Sequence, residues 1–306
     1  YNKETRYRKR KMPLEQQFPQ FAAFGMMDVG LHRSALEDAF FISEEEGLFI
    51  VSDGVGGAVA GGLASTITVR TLPIKLSETC GKLSYTDENE SFVKANALGH
   101  AVDDVRNLLL EKTQHYPSVK GLGATVVAGY YAGKGMMAFT HLGDSRAYLL
   151  RDGILERLTE DHTVADTLYK TGRISREQLL KHPDRHILTR YIGMRECTET
   201  EVFLLQLKSN DRLLFCTDGL TGMVSERTIG TLLLNNDSRE KVVAMLITAA
   251  NNAGGHDNIT AVVVDVLPWS SRQGQYTLVE IRDEIGYSLL KTERKLSELC
   301  GSLQNE

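Results

Sequence analysis

The chain has 306 residues, 42% hydrophobic and 25% charged, with 6 prolines and 27 glycines. That is a globular composition with room for one large domain or two modest ones. A net charge of −5 argues against general attraction to nucleic acid or anionic membrane, and no apolar run is long enough to span a bilayer. The four cysteines, Cys80, Cys197, Cys216 and Cys300, lack the paired spacing of a zinc site or disulfide framework. Reduced thiols and a cytoplasmic location are the expectation.

In chain order, the basic opening Lys3 to Lys11 marks residues 1–17 as a solvated, disordered arm. No signal-peptide pattern follows it, and the chain begins with Tyr rather than Met, as a trimmed piece would. Residues 18–268 alternate short apolar runs with turns. The runs LFIVSD, ATVVAGYY, MMAFTHLGD, RAYLLRDG, RLLFCTD and ITAVVVDV read as strands. Close pairs such as Met136 to Gly153 read as hairpins or meanders, so the sheets are expected to be antiparallel.

Phe92, Ala95, Leu98, Val102, Val105 and Leu109 recur at three and four and form one helical stripe. A second helix is expected between an N-cap at Asp237 or Ser238 and a stop at Gly254. The polar stretch of residues 161–190 reads as a flap inserted between strands, with a capping-box spacing at Ser175 and Gln178. In residues 269–306, Leu278, Ile281, Ile285, Leu289, Leu296 and Leu299 suggest an amphipathic helix that docks on its own domain or on a partner.

Two stretches share one design: FIVSDGVGG from Phe49 and LFCTDGLTG from Leu214 both end an apolar run on Asp-Gly. Asp-Gly alone is a turn signal. Glu37, Asp38, Asp144 and Asp257 also lie at the ends of apolar runs, however, and such acids can converge on one sheet edge. Clustered carboxylates repel unless cations neutralise them. Oxygen donors without matching His or Cys select hard metals, Mg²⁺ or Mn²⁺.

In order from about Phe21 to Val266, the motifs FGMMDVGLHRSALEDAFF, FIVSDGVGGAVAGGLAS, GLGATVVAGYY, THLGDSRAYLLRDG, LTEDHTVADTLYKTGRIS, KHPDRHILTRYIG, LLFCTDGLTG and GGHDNITAVVVDV resemble the metal-dependent protein serine/threonine phosphatases of the 2C type, in their bacterial form. The resemblance implies an α+β fold: a four-layer α-β-β-α sandwich of two antiparallel sheets flanked by helices, with the flap inserted. It also implies two Mn²⁺ or Mg²⁺ ions per site. Asp53 would bridge them, Gly54 would lend a carbonyl, Asp218 and Asp257 would complete one shell, and Glu37 would reach the second metal through water. Asp38 would orient those waters, and Asp144 with Asp218 matches a third-metal site. Arg33 would hold the substrate phosphate with its planar fork.

The implied reaction is hydrolysis of phosphoserine and phosphothreonine in proteins by a metal-bridged hydroxide attacking phosphorus in line, opposing a serine/threonine kinase. No cysteine has the arginine six residues on that a thiolate phosphatase loop needs, and no Asp-x-Asp pair suggests an aspartyl-phosphate enzyme. Relatives usually carry His and an acid where Ala58 and Gly62 stand, and often Asn where Leu36 stands. A missing proton donor would cost ~10²–10⁴-fold. His162 or His186 replaces it only if the flap folds inward, and His256 reads as a loop histidine. Two other readings are a degenerate phosphoprotein-binding or sensor protein and a small-molecule phosphohydrolase. Substrate choice is expected to come from the flap and the C-terminal helix.

Overall fold

Strands β3 (Leu48–Ser52), β11 (Arg212–Cys216) and β12 (Ile259–Val266) are apolar at almost every position because both of their faces are covered. The period of two still sorts the side chains. Phe49 and Val51 of β3 enter one core, while Leu48 and Ile50 enter another. In β11, Leu213 and Phe215 face the first core and Leu214 and Cys216 a third.

The computed structural model describes residues 19–56, 58–86, 88–115, 121–195, 200–235, 238–269 and 278–281. One sheet orders β1 (Phe21–Asp28), β12, β11, β8 (Arg146–Arg151) and β9 (Ile154–Arg157). The other orders β13 (Leu278–Ile281), β10 (Val202–Gln206), β7 (Met136–Leu142), β6 (Val126–Gly133), β3 and β2 (Ala39–Ser43). A small ladder joins β4 (Gly54–Val55) to β5 (Gly123–Ala124). Every pairing is antiparallel.

Three cores give four layers. Helices α1 (Ala58–Cys80) and α2 (Glu90–His115) bury Leu72, Leu76, Leu98 and Leu109 on the larger sheet. Helices α6 (Glu226–Leu233) and α7 (Arg239–Asn252) bury Ile229, Val243 and Leu246 on the smaller one. Between the sheets, Phe215 stacks on Phe49 and Phe139 at centroid distances of 6.2 and 5.9 Å. This is the expected α-β-β-α sandwich. Helix α1 is not among the expected helices, because Gly61, Gly62 and Pro73 lie inside it and weaken its signal.

Two expectations need correction. The stretch Met136 to Gly153 is not one hairpin: β7 belongs to the larger sheet and β8 to the smaller, so the chain crosses the sandwich at Gly143 to Ser145. Both strands are buried on both faces, so their patterns do not reveal which partner each takes. The actual hairpin turn is Asp152–Gly153, both at positive φ, joining β8 to β9. Residues 278–281 of the expected C-terminal helix instead form β13, paired with the edge of β10. Leu-Val-Glu-Ile is a strand-favouring run, and a free sheet edge offers it backbone partners. The basic arm 1–17 and the rest of the expected C-terminal tail, residues 270–277 and 282–306, lie outside the described residues.

Between β9 and β10 lies the flap, with α3 (Val164–Lys170) and α4 (Arg176–Lys181). The capping box at Ser175 and Gln178 is formed in both directions. No described helix is long and apolar enough to cross a membrane.

Candidate active site

Where β3 ends, the chain is locked in place. Ser52 Oγ donates to the Thr125 carbonyl at 2.6 Å, the Asp53 N–H donates to Thr125 Oγ1 at 2.9 Å, and the Thr125 N–H donates to the Asp53 carbonyl at 2.8 Å. Thr125 Oγ1 in turn lies 2.7 Å from Ser145 Oγ, which ties the Asp53 end to the crossing loop that carries Asp144. The Asp-Gly that follows β3 is therefore no hairpin turn. Gly54 continues into β4, and a Cβ there would overlap the backbone of Gly61 in α1. Glycine is required by close approach of two backbones.

Asp218 begins the short helix α5 (Asp218–Thr221) directly after β11. Behind it, Asp38 is 5% exposed and accepts at Oδ2 from Thr217 Oγ1 at 2.9 Å and Thr260 Oγ1 at 2.6 Å. This ties the start of β2 to the ends of β11 and β12. Asn258 holds the loop before β2: its Nδ2 donates to the Val29 and Ala35 carbonyls, both at 3.0 Å, and its Oδ1 accepts from the Glu37 N–H at 2.5 Å. Thr125, Thr217, Thr260 and Asn258 escape sequence reasoning. The partners of Asn258 stand 221–229 residues away, and no local spacing reports them.

These locks bring Arg33, Glu37, Asp53, Gly54, Asp144, Asp218 and Asp257 to the lining of one cavity of ≈ 780 Å³. Asp38 lies behind the wall. The flap supplies the opposite side with Arg185, His186, Ile187 and Leu188, joined by Tyr191. His186 Nδ1 is 3.9 Å from Asp218 Oδ2, so the flap does reach the acids. His162 is not in the cavity: it stacks on His141 at 4.4 Å and accepts at Nδ1 from the Gly143 N–H at 3.2 Å. His256 lines the cavity and packs on His32 at 4.6 Å. The side chain of residue 58 lies outside the described residues.

Crowding shows in the electrostatics. Burial first, then repulsion from Asp38, Asp218, Asp144 and Asp257, holds the Asp53 carboxyl well above the ordinary range. Asp144 is raised by burial and Asp218, and Asp218 by burial and Asp257. Asp38 Oδ1 and Asp218 Oδ1 are buried without a hydrogen-bond partner. Such an arrangement is costly unless positive charge enters it. Arg33 supplies part of that charge, with Nη2 2.7 Å from Asp257 Oδ2 and Nη1 3.7 Å from Glu37 Oε1. Among the described residues, no three His, Cys, Asp or Glu side chains close on a single point. The acids ring the cavity, and Arg33 engages one of them. Orphaned oxygens, raised carboxyls and a donor set dominated by carboxylates fit hard divalent cations.

The model of one known family, protein phosphatase 2C, matches residues 32–262, a span that holds every one of these acids. The chain belongs to the protein phosphatase 2C family. Among its 2C relatives, the serine/threonine phosphatase stp of Listeria welshimeri serovar 6b is 35% identical over 222 residues, 72% of this chain and 85% of that one. The crystal structure of the Mycobacterium tuberculosis serine/threonine phosphatase PstP/Ppp matches with a TM-score of 0.72 at 31% identity, over 81% of this chain and 100% of that chain. A structure of the PstP catalytic domain in complex with two manganese ions matches with a TM-score of 0.67 at 29% identity, over 82% of this chain and 100% of that one. The 2C fold and the acidic cavity thus coincide in one protein.

Proposed function

We propose that this chain hydrolyses phosphoserine and phosphothreonine in proteins with two Mn²⁺ or Mg²⁺ ions held by the acidic cavity. Asp53, Asp218, Asp257, Glu37 and the Gly54 carbonyl are the groups that would hold them, and Asp144 with Asp218 those that would hold a third. Bound there, the ions would supply a nucleophile from water at neutral pH and neutralise charge on the phosphoryl oxygens. The manganese ions of the PstP catalytic domain support this assignment.

The chain's own residues do the rest. Arg33, with its side chain 45% exposed at the cavity mouth, presents a planar fork that grips two phosphoryl oxygens once it lets go of Asp257. Asp38, fixed by Thr217 and Thr260, keeps a free oxygen that orients water beside the acids. Thr125 fixes the Asp53 backbone, so the carboxylates are positioned before substrate arrives. His186 brings a flap imidazole to 3.9 Å from Asp218. Phosphoprotein substrates place the enzyme opposite a serine/threonine kinase, and the free thiols Cys80 and Cys216 suit a cytoplasmic setting.

One observation carries the reading: four aspartates from distant segments crowd one cavity beside an arginine. It is tested by hydrolysis of p-nitrophenyl phosphate and a phosphothreonine peptide with Mn²⁺, Mg²⁺ or chelator, for wild type and Asp218→Asn. Metal-dependent turnover that collapses in the variant is expected. A folded wild type that binds metal and turns over neither compound would make this a phosphoprotein-binding relative instead.

A further inference from the structure

Asp144 stands on the short crossing between β7 and β8, and its neighbours in that crossing are gripped from outside it. Gly143 is bonded twice to His162: the His162 N–H donates to the Gly143 carbonyl at 2.9 Å, and the Gly143 N–H donates to His162 Nδ1 at 3.2 Å. Ser145 Oγ lies 2.7 Å from Thr125 Oγ1. Arg146 donates from Nε and Nη2 to the two Asp161 oxygens at 2.9 and 2.6 Å. Asp161 and His162 are consecutive, so one dipeptide at the root of the flap clasps the chain on both sides of Asp144. Gly143 has φ +108, and a Cβ there would stand 2.6 Å from Thr125 Cγ2, so the clasped crossing sits as close to Thr125 as glycine allows.

His162 also reaches the opposite wall. Its carbonyl accepts from the Thr189 N–H at 2.8 Å, directly after Ile187 and Leu188, which line the cavity. Its ring lies nearly flat on His141 of β7, whose Nε2 donates to the Glu160 carbonyl at 2.6 Å. A ring that accepts at Nδ1 is neutral and carries its proton on Nε2. Burial first, then His141, Arg190 and Lys170, hold it in that form. Resting on the phosphatase reading above, we infer that His162 is a positioning residue for Asp144: Nδ1 holds the Gly143 amide and so sets where the Asp144 carboxylate meets an incoming cation. Gly143 is buried, and its N–H, left without this acceptor, would turn toward another and carry Asp144 with it. Groups that orient a metal-binding side chain from behind change its affinity by roughly 10- to 100-fold when lost. Asp53 is locked by Thr125 and Glu37 by Asn258, so the effect falls on the cation beside Asp144 and spares the others.

Titration calorimetry of the full chain with Mn²⁺, starting from chelator-stripped protein, tests this. Asp144→Asn identifies the component of the wild-type isotherm that belongs to Asp144. His162→Phe keeps a ring on His141 but removes the acceptor, whereas His162→Asn gives up the ring and keeps an oxygen near the Nδ1 position. In His162→Phe the Asp144 component should weaken at least about tenfold while the rest stays within about twofold of wild type. In His162→Asn every component should stay within about twofold. The double variant Asp144→Asn/His162→Phe should bind no more weakly than Asp144→Asn, because the ring acts through that carboxylate. If His162→Phe shows no urea transition in chelator, His162→Gln, whose oxygen reaches one bond too far, takes its place. An unchanged isotherm in the variant without the acceptor overturns the inference. So does a loss shared by every component, an equal loss in His162→Asn, or additive effects in the double variant. An Asp144→Asn protein that binds Mn²⁺ like wild type overturns it too, by removing Asp144 from the ligand set. A folded wild type that binds no Mn²⁺ at all overturns the phosphatase reading beneath it.

Discussion

Arg33 Nη2 stands 2.7 Å from Asp257 Oδ2, so the side chain assigned to the substrate phosphate is paired with a carboxylate assigned to metal. The pair links two events. A cation entering the cavity would compete with Arg33 for Asp257, and Arg33 once displaced would be free for phosphate. Arg33→Ala should then bind Mn²⁺ more tightly by titration calorimetry while losing roughly 10- to 100-fold in kcat/KM on p-nitrophenyl phosphate. Weaker Mn²⁺ binding in the variant would mean that the guanidinium helps to build the site rather than competing for it.

Asp218 is raised by burial and by Asp257, and its Oδ1 has no partner. Neutralising it relieves repulsion in the metal-free protein but removes a proposed ligand. In chelator, Asp218→Asn should melt a few degrees higher than wild type, about the shift of 1 kcal/mol in a chain of this size. Added Mn²⁺ should raise the melting temperature of wild type and leave the variant nearly unmoved. An equal rise in both would remove Asp218 from the ligand set.

Asp38 is the brace behind the site. Asp38→Ala removes the acceptor of two buried hydroxyl protons, on Thr217 Oγ1 and Thr260 Oγ1, and should cost about 1–3 kcal/mol in urea denaturation. Asp38→Asn keeps an oxygen acceptor and should cost less. If both variants unfold at the wild-type midpoint, the tie between β2, β11 and β12 carries no stability.

The stacked imidazoles give a pH signature. Burial holds His141 down to about 4 and His162 down to about 2, from an ordinary 6.5, while His141 Nε2 donates to the Glu160 carbonyl at 2.6 Å. The unfolded chain takes up protons near pH 6.5 that the folded one refuses. Their contribution is whole above that pH and shrinks as pH falls toward 4. The raised carboxyls of Asp53, Asp144 and Asp218 act in the opposite sense, so the comparison is between proteins. In chelator, the urea midpoint of His141→Gln should fall less between pH 7.5 and 5 than that of wild type. Parallel curves would mean that His141 titrates alike in both states.

The acids were legible as a set because each sits at the end of an apolar run, a local pattern a single chain displays. So were the outer helix α7 and the capping box at Ser175, whose signals span only a few residues. Helix α1 was not, since the glycines that let it meet Gly54 and Glu37 are poor helix formers, and their reason lies in a distant backbone. By itself, then, the sequence determined which residues carry charge, which runs are buried, and that the strands form antiparallel sheets, while the two-sheet sandwich was implied by the family resemblance. Only the tertiary structure decided that β7 and β8 part company, that Asn258 and Thr125 lock the site, and that the flap brings His186 to Asp218 while leaving His162 behind. The reason is physical. Burial and charge are properties of a residue and its near neighbours, whereas sheet membership and hydrogen-bond partnership depend on which distant segments the fold places side by side.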